Sequence, residues 1–210
     1  TPLEESFQSS WKVFCEGPHT IRRLIAVGLG SMAFTMEDVL LEPYGGEILK
    51  LSVSSTTLLT ATLALGGLIG FGWASRVISR GADPYRMASW GAWIGLPAFV
   101  LIIFAAPLMS VYMFVLGVFL IGLGGGLFAH GTLTASMNLA PPDQTGLAMG
   151  AWGAVQATAS GLGMALGGLL RDGVAQLSNS VTGYSTVYGI EIVMLILTLM
   201  AMRPLLRNPN

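Results

Sequence analysis

The chain has 210 residues, of which 53% are hydrophobic and only 10% are charged, and its mean hydropathy is +0.69. Soluble domains carry about a quarter charged residues, so this composition excludes an ordinary soluble domain and predicts an integral membrane protein. A net charge of −1 without a basic tract gives no reason to expect nucleic acid as a partner, and a single cysteine, Cys15, excludes an internal disulfide framework.

The first segment, residues 1–23, is predicted to be an amphipathic linker on the cytoplasmic side. Its apolar residues recur at helical spacing among acids and a lysine, namely Leu3, Phe7, Trp11 and Phe14. This pattern is typical of a helix that lies in the membrane interface, or of a linker helix that arrives from another domain.

Hydropathy and charge positions predict an all-α protein with six transmembrane helices in a domain of residues 24–203, followed by a cytoplasmic tail of residues 204–210. Each span has about 20 residues, the length that crosses about 30 Å of hydrocarbon. The predicted spans are residues 24–41, 56–75, 87–106, 108–129, 146–170 and 187–202. Little more than Pro107 separates the third and fourth spans, which predicts a tight antiparallel hairpin.

Four carboxylates stand in the twelve residues from Met36 to Glu47, at the end of the first span. Pro43 is expected to end this helix near Leu41 and Glu42. A non-helical turn through Tyr44, Gly45 and Gly46 is expected to follow, because the glycines permit it. An ionised acid at mid-depth costs about 2.5–3.5 kcal/mol on insertion scales, so a lipid-facing position is not expected.

Two interpretations of this stretch stay open. One is a helix end whose acids reach the membrane surface and fix a loop. The other, which we favour, is a polar site of irregular backbone that faces a cavity or a partner. Its candidate residues, with the acid of the last span, are Glu37, Asp38, Glu42, Pro43, Tyr44, Gly45, Gly46 and Glu191. For Glu191 the alternative is a hydrogen bond to Ser, Thr or Tyr of a neighbouring helix.

The short loop after the second span is rich in charge, with Arg76, Arg80, Asp83 and Arg86. These residues either set the topology and contact lipid headgroups, or latch neighbouring helices through salt bridges. With an N-terminus in the cytoplasm, eight of the ten basic residues fall on the cytoplasmic side and only Lys50 and Arg171 fall opposite, which predicts cytoplasmic N- and C-termini.

Glycines at four-residue spacing predict close helix packing within the polypeptide. The pairs are Gly66/Gly70, Gly91/Gly95, Gly122/Gly126, Gly146/Gly150 and Gly163/Gly167, and the run Gly124–Gly126 predicts a flexible or kinked point in the fourth span. His130 ends that span and is either a hydrogen-bonded packing residue or a ligand. We find no catalytic or metal-binding motif and expect neither an enzyme nor a metal site.

Several stretches resemble one family, the PucC type. They are MEDVLLEPYGGEILKLSV from residue 36, TTLLTATLALGGLIGFGWASRVISRGADPYRM from residue 56, IGLGGGLFAHGTLTA from residue 121 and GLAMGAWGAVQATASGLGMALGGLLRD from residue 146. The PucC type comprises the bacteriochlorophyll-delivery, or light-harvesting-complex assembly, proteins of purple phototrophs, a branch of the major facilitator superfamily. The resemblance covers nearly the whole chain from about Arg22 to Arg207.

The resemblance implies the second six-helix half of a twelve-helix protein, so that the first half is absent here. It implies a bacterial inner, intracytoplasmic photosynthetic membrane, and antenna polypeptides, the reaction-centre complex and membrane lipid as partners. It also implies transient handling of bacteriochlorophyll, for which His130 is the candidate pigment ligand. The facilitator motif after the second span is altered, because Ser75 stands where its acid is expected.

Three functions therefore remain open. The leading one is an assembly factor that holds or delivers bacteriochlorophyll to antenna polypeptides. The alternatives are a proton-coupled solute transporter, with Glu37, Asp38 and Glu191 as relay acids, and a permanent structural subunit of an antenna or reaction-centre complex.

Overall fold

The computed structural model describes residues 7–207, and over this range the chain forms eight α-helices and no strand. The helices are α1 (Phe7–Glu16), α2 (Thr20–Thr35), α3 (Leu41–Glu47), α4 (Val53–Ile78), α5 (Pro84–Ala105), α6 (Val111–Leu139), α7 (Thr145–Leu177) and α8 (Ser180–Arg207). The all-α class is confirmed for these residues. Leu3 of the predicted amphipathic segment lies outside them.

Four helices of the described range are long and apolar enough to cross a membrane, namely α4, α5, α6 and α8. The prediction of six spans is therefore confirmed for four helices. The 16 residues of α2 are too few to hold a full apolar span, whereas α7 has 33 residues and is long enough but less apolar. The two remaining predicted spans correspond to α2 and α7.

Polar side chains define where the long helices begin. Ser52 caps α4 by accepting a hydrogen bond from the Ser55 amide, at 3.3 Å, and Asp83 caps α5 by accepting one from the Tyr85 amide, at 2.9 Å. Ser110 starts α6 after a turn of a few residues from the end of α5, so the predicted tight hairpin is present. Such caps satisfy amides that have no partner within the helix.

Glycines bring α4, α5 and α6 into backbone contact. A Cβ atom placed on Gly66 would lie 2.3 Å from the carbonyl oxygen of Phe119, and one placed on Gly122 would lie 2.1 Å from that of Leu63. Gly124 meets the backbone of α5 in the same way, and α6 runs without interruption through the glycine run that was expected to be a kinked or flexible point. These glycines allow the helices to pack closely, because nothing larger than the hydrogen atom of a glycine side chain fits between the two backbones.

Not every predicted glycine pair packs. Gly167 of α7 approaches the carbonyl oxygen of Met36, to which an added Cβ would lie 2.6 Å away. Gly146 and Gly150, at the other end of α7, have no neighbouring atom within 4 Å of such a Cβ, so this pair makes no close contact among the described residues.

The first predicted span is interrupted earlier than expected. α2 ends at Thr35, a turn occupies residues 36–40, and α3 then runs through Pro43, Tyr44, Gly45 and Gly46. The predictions that Pro43 ends the helix and that the two glycines form a non-helical turn are wrong. Pro43 lies in the first turn of α3, where amides lack helical acceptors and a proline is tolerated.

Candidate functional site

Glu37 lies in the turn that follows α2. Its carbonyl oxygen accepts hydrogen bonds from the amides of Leu40, at 2.7 Å, and Leu41, at 3.1 Å, so the backbone reverses around this residue. The side chain is completely buried, and neither carboxyl oxygen has a hydrogen-bond partner among the described residues. The bundle therefore encloses an acid just after the end of α2.

Glu191 lies on the buried face of α8. Tyr184, Tyr188, Glu191 and Leu195 follow one another at helical spacing and each is 0% exposed. The Glu191 carboxyl group lies beside the carboxyl group and the backbone of Glu37, and its oxygens also lack a hydrogen-bond partner. We call Glu37 and Glu191 the carboxyl pair.

The sequence identified both acids but did not predict that they meet. They are far apart in the chain, and no local pattern joins a residue of the first span to one of the last. The contact arises because α2 packs against α8, which only the tertiary structure reveals.

Aromatic rings surround the carboxyl pair. The Tyr44 ring of α3 stacks on Phe114, with 4.6 Å between centroids, and meets the edges of Tyr184 at 5.1 Å and Tyr188 at 5.8 Å. The Tyr44 hydroxyl donates to the carbonyl oxygen of Ile102, at 2.8 Å. The Tyr188 hydroxyl is buried and has no partner in the described part of the chain. Tyr44, which the sequence placed in an irregular turn, is instead a fully buried anchor of α3.

Beyond these rings, four side chains form what we call the Arg171 network: Glu47, Arg171, Asp172 and Tyr184. Arg171 donates to the Glu47 carboxylate, to Asp172 at 2.6 Å and to the Tyr184 hydroxyl at 2.8 Å, and its guanidinium lies 4.5 Å above the Tyr184 ring. Tyr184 in turn donates to Glu47, at 3.0 Å. The network joins α3, α7 and α8, and sequence reasoning missed it. Its one signal was that Arg171 and Asp172 follow a long run of small and apolar residues.

Glu47 is held in its charged form by Ser180 and by members of this network. A hydrogen bond from the Ser180 side chain lowers the pKa of Glu47 the most, and partial burial opposes that effect. The Tyr184 hydroxyl and the Arg171 charge lower the pKa further.

The other predicted residues of this stretch are not part of the carboxyl pair. Asp38 is a neighbour of the pair but is exposed, as is Pro43, and the exposed Glu42 accepts a hydrogen bond from Thr60 of α4, at 2.9 Å. Gly45 packs tightly, since an added Cβ would lie 2.9 Å from a methyl group of Leu59, whereas Gly46 has space. The predicted site thus divides into a buried pair and a surface segment.

The charged loop after α4 is open. Arg76, Arg80 and Arg86 are exposed, and Asp83 caps α5. Among residues 7–207 the ion pairs are those of Arg171, so no salt-bridge latch forms in this loop.

His130 is partly buried on α6. Its ring meets the edge of Phe71 of α4, with 4.2 Å between centroids, and its Nδ1 atom is buried without a hydrogen-bond partner among the described residues. The expected packing contact is present as an aromatic contact, without the interhelical hydrogen bond. Within the range described, no group of three or more His, Cys, Asp or Glu is placed to hold a metal ion.

Two apolar grooves open on the sides of the bundle. One, of about 400 Å³, lies between α2 and α7 and is lined mainly by small and aliphatic residues such as Gly28, Val155 and Ala159. The other, of about 330 Å³, lies on α5 and α6 beside Trp90 and Trp93.

Comparison with known proteins decides the family. The sequence model of the family described as PUCC protein matches residues 2–209, which is nearly the whole chain. The chain belongs to the PUCC protein family. It is 53% identical over 188 residues to Protein PucC of Rhodovulum sulfidophilum, covering 90% of this chain and 41% of that protein. It is 49% identical over 211 residues to Protein PucC of Cereibacter sphaeroides, covering 98% of this chain and 46% of that protein.

A more distant relative is the bacteriochlorophyll synthase 44.5 kDa chain of Rhodobacter capsulatus, 26% identical over 180 residues, covering 82% of this chain and 41% of that protein. The chain therefore spans less than half the length of these relatives. The family and the four apolar helices together make this a membrane protein.

Proposed function

We propose that this chain belongs to an assembly factor for photosynthetic light-harvesting complexes, which holds bacteriochlorophyll or delivers it to antenna polypeptides in the membrane. The observation that carries the proposal is the family match over residues 2–209, together with relatives up to 53% identical. The PucC type is associated with antenna assembly. One more distant member also has bacteriochlorophyll in its name. The proposed role is non-enzymatic.

The proposed architecture is the C-terminal six-helix half of a twelve-helix protein of the major facilitator type. In this arrangement α7, and α2 extended by the turn of residues 36–40, cross the bilayer beside the four apolar helices. A further six helices account for the greater length of the relatives. The N- and C-termini lie in the cytoplasm, and the protein resides in the bacterial intracytoplasmic photosynthetic membrane.

The surface of the bundle suits a flat apolar pigment. The groove between α2 and α7 offers small side chains, and the groove beside Trp90 and Trp93 offers aromatic surface. Rings and small residues of this kind are typical of apolar ligand sites. Antenna polypeptides, and the reaction-centre complex, are the proposed protein partners.

His130 is the proposed pigment ligand. Bacteriochlorophyll carries a magnesium ion that takes an axial ligand, and a neutral imidazole is a common metal ligand. His130 fits this role because its side chain is only partly buried and because the exposed Phe71 lies next to it, so that the imidazole stands near the apolar surface of the bundle.

The proposal is tested by affinity purification of the intact protein from bacteria that are actively making antenna. We expect antenna polypeptides and bacteriochlorophyll to copurify, and an unrelated multi-span protein with the same tag to carry neither. Recovery of the protein with neither partner would count against an assembly role.

A proton-coupled transporter is the second candidate, because two acids lie buried together inside the bundle. Liposomes that contain the purified protein distinguish the two. Movement of a defined solute that depends on the pH gradient and is lost in Glu37→Gln would favour the transporter. An assembly factor moves no solute under these conditions.

A further inference from the structure

Five buried oxygen atoms at the contact of α2 and α8 have no hydrogen-bond partner among the described residues. Four belong to the carboxyl pair, Glu37 and Glu191, and the fifth is the Tyr188 hydroxyl. All three residues are 0% exposed. Buried polar groups in proteins are almost always hydrogen-bonded, so these atoms require partners that the side chains, as free anions, do not supply.

No cation of the described residues neutralises the pair. Arg171 is bound to Glu47 and Asp172. The remaining titratable neighbours are Asp38, Tyr44, Tyr184 and Tyr188, which are acidic or neutral. On the side of α5 the surroundings are apolar, since Phe99 packs against Tyr188. Two adjacent carboxylates that are buried without a counter-charge repel each other and lose their hydration, which strongly favours their neutral forms.

We propose that Glu37 and Glu191 form a proton-binding site, in which each buried carboxyl group carries a proton and is neutral. Protonation turns each carboxylate from an acceptor into both a donor and an acceptor, and it removes the charges that burial and mutual repulsion oppose. Two carboxyl groups suit a proton better than a metal ion, because no third ligand stands beside them. The inference does not depend on the role in antenna assembly.

Tyrosine rings lie between the carboxyl pair and the Arg171 network. Tyr188 and Tyr184 lie one turn apart on α8, and both of their rings meet that of Tyr44. The Tyr184 hydroxyl is hydrogen-bonded to Glu47 and Arg171, which are partly exposed. The Tyr188 hydroxyl has no hydrogen-bond partner among the described residues, so the hydrogen bonds of the network end at Tyr184 and do not reach the carboxyl pair.

The site is placed where a proton can affect the fold. Glu37 lies in the turn between α2 and α3, and Gly167 of α7 presses directly on the carbonyl oxygen of the preceding residue, Met36. Charging the pair would separate α2 from α8 at this break. The proton is therefore part of what holds the two helices together.

Infrared spectroscopy of the intact protein in lipid vesicles tests this directly. At neutral pH, exposed carboxyl groups are ionised, so the carbonyl stretch of a protonated carboxylic acid reports buried neutral acids. We expect this band in the wild type, a partial loss in Glu37→Gln and in Glu191→Gln, and a complete loss in the double variant. Glu42→Gln, at an exposed acid bound to Thr60, and Asp38→Asn should both keep the band.

The proposal would be overturned by the absence of such a band in the wild type, by a band that persists in the double variant, or by a band lost in Asp38→Asn. Loss of the wild-type band on adding sodium ions in place of a large organic cation would assign the site to a metal cation instead. Glutamine is nearly the same size as protonated glutamate, so the variants retain the packing. If the double variant does not fold, the single variants decide.

Discussion

Arg171 forms the ion pairs found in the described part of the chain. Arg171 belongs to α7 and donates hydrogen bonds to Glu47 of α3 and to the Tyr184 hydroxyl of α8, so a single side chain joins three helices. Its side chain is 21% exposed and that of Glu47 is 39% exposed, so water screens the pair and the interaction is moderate. Geometry matters more here than charge, because Arg171 also covers the Tyr184 ring.

Replacing Arg171 with glutamine should destabilise the bundle by about 1 kcal/mol, since a charged hydrogen bond and a ring contact are lost at a screened site. The measurement is thermal unfolding of the purified protein in detergent. Arg80→Gln is the matched control, because Arg80 is exposed in a loop and forms no ion pair among residues 7–207. Equal unfolding temperatures for the two variants would contradict the network.

Glu47 should make stability depend on pH at the acidic end. Its pKa is lowered in the folded protein, so its contribution is complete above the unfolded value of about 4.3 and is lost as the pH falls below that value. Unfolding temperature measured across this range should therefore fall less steeply in Glu47→Gln than in the wild type. Curves that are parallel for the two proteins would show that Glu47 has no such role.

His130→Phe separates a ligand from a packing residue, because phenylalanine keeps the ring and removes the nitrogen. We expect the purified variant to lose bacteriochlorophyll and to unfold at the wild-type temperature, since the edge contact with Phe71 is retained. Unchanged pigment content would dispose of the ligand role. Loss of both pigment and stability would indicate packing alone.

At the scale of helices, the sequence predicted which helices exist better than it predicted the residues at which they begin and end. The four apolar spans and the α5–α6 hairpin follow from hydropathy and from the short stretch at Pro107, which are local signals. The break after Thr35 could not be predicted, because the strongest local helix breaker is Pro43 and the observed turn lies upstream of it. That turn is stabilised by the packing of Met36 against Gly167 and by the burial of Tyr44, which are tertiary effects.

Two glycines of α4 offer a matched test of helix packing. Gly70→Ala should destabilise the protein by about 1–3 kcal/mol, because its Cβ would lie 2.2 Å from the carbonyl oxygen of Leu123. Gly72→Ala should be neutral or stabilising by less than about 1 kcal/mol, because it has no neighbour within 4 Å and alanine favours a helix. The check is unfolding temperature. Similar destabilisation in both variants would refute the close contact of α4 with α6.

At the scale of the molecule, the sequence predicted the class of the protein and its family, whereas the candidate site was predicted only as separate residues. Composition alone identifies a membrane protein, and glycine spacing predicts close helix packing, which Gly66, Gly70, Gly122 and Gly126 make and Gly146 and Gly150 do not. The carboxyl pair and the Arg171 network join residues from opposite ends of the chain, and no short-range pattern encodes such contacts. Because an ionised acid that faces lipid is costly, Glu37 was expected to face away from lipid, but the sequence did not predict that Glu191 lies beside it.

The proposed topology predicts that the two ends of the bundle lie on opposite sides of the membrane. In a chain whose Cys15 is replaced by serine, single cysteines at Arg80 and at Leu177 should react with a membrane-impermeant thiol reagent from opposite sides. Both positions are exposed, so labelling reports sidedness and not burial. Labelling of both from one side would contradict this topology, and labelling of Arg80 from the outside would contradict cytoplasmic termini.

The central claim is that the protein acts during antenna assembly and handles pigment there. The most direct measurement is its amount, relative to antenna polypeptides, in complexes isolated at intervals after antenna synthesis is switched on. An assembly factor should be enriched together with bacteriochlorophyll in the early complexes and should leave as they mature. A constant ratio in mature complexes would establish a permanent structural subunit, and no association at any interval would contradict a role in assembly.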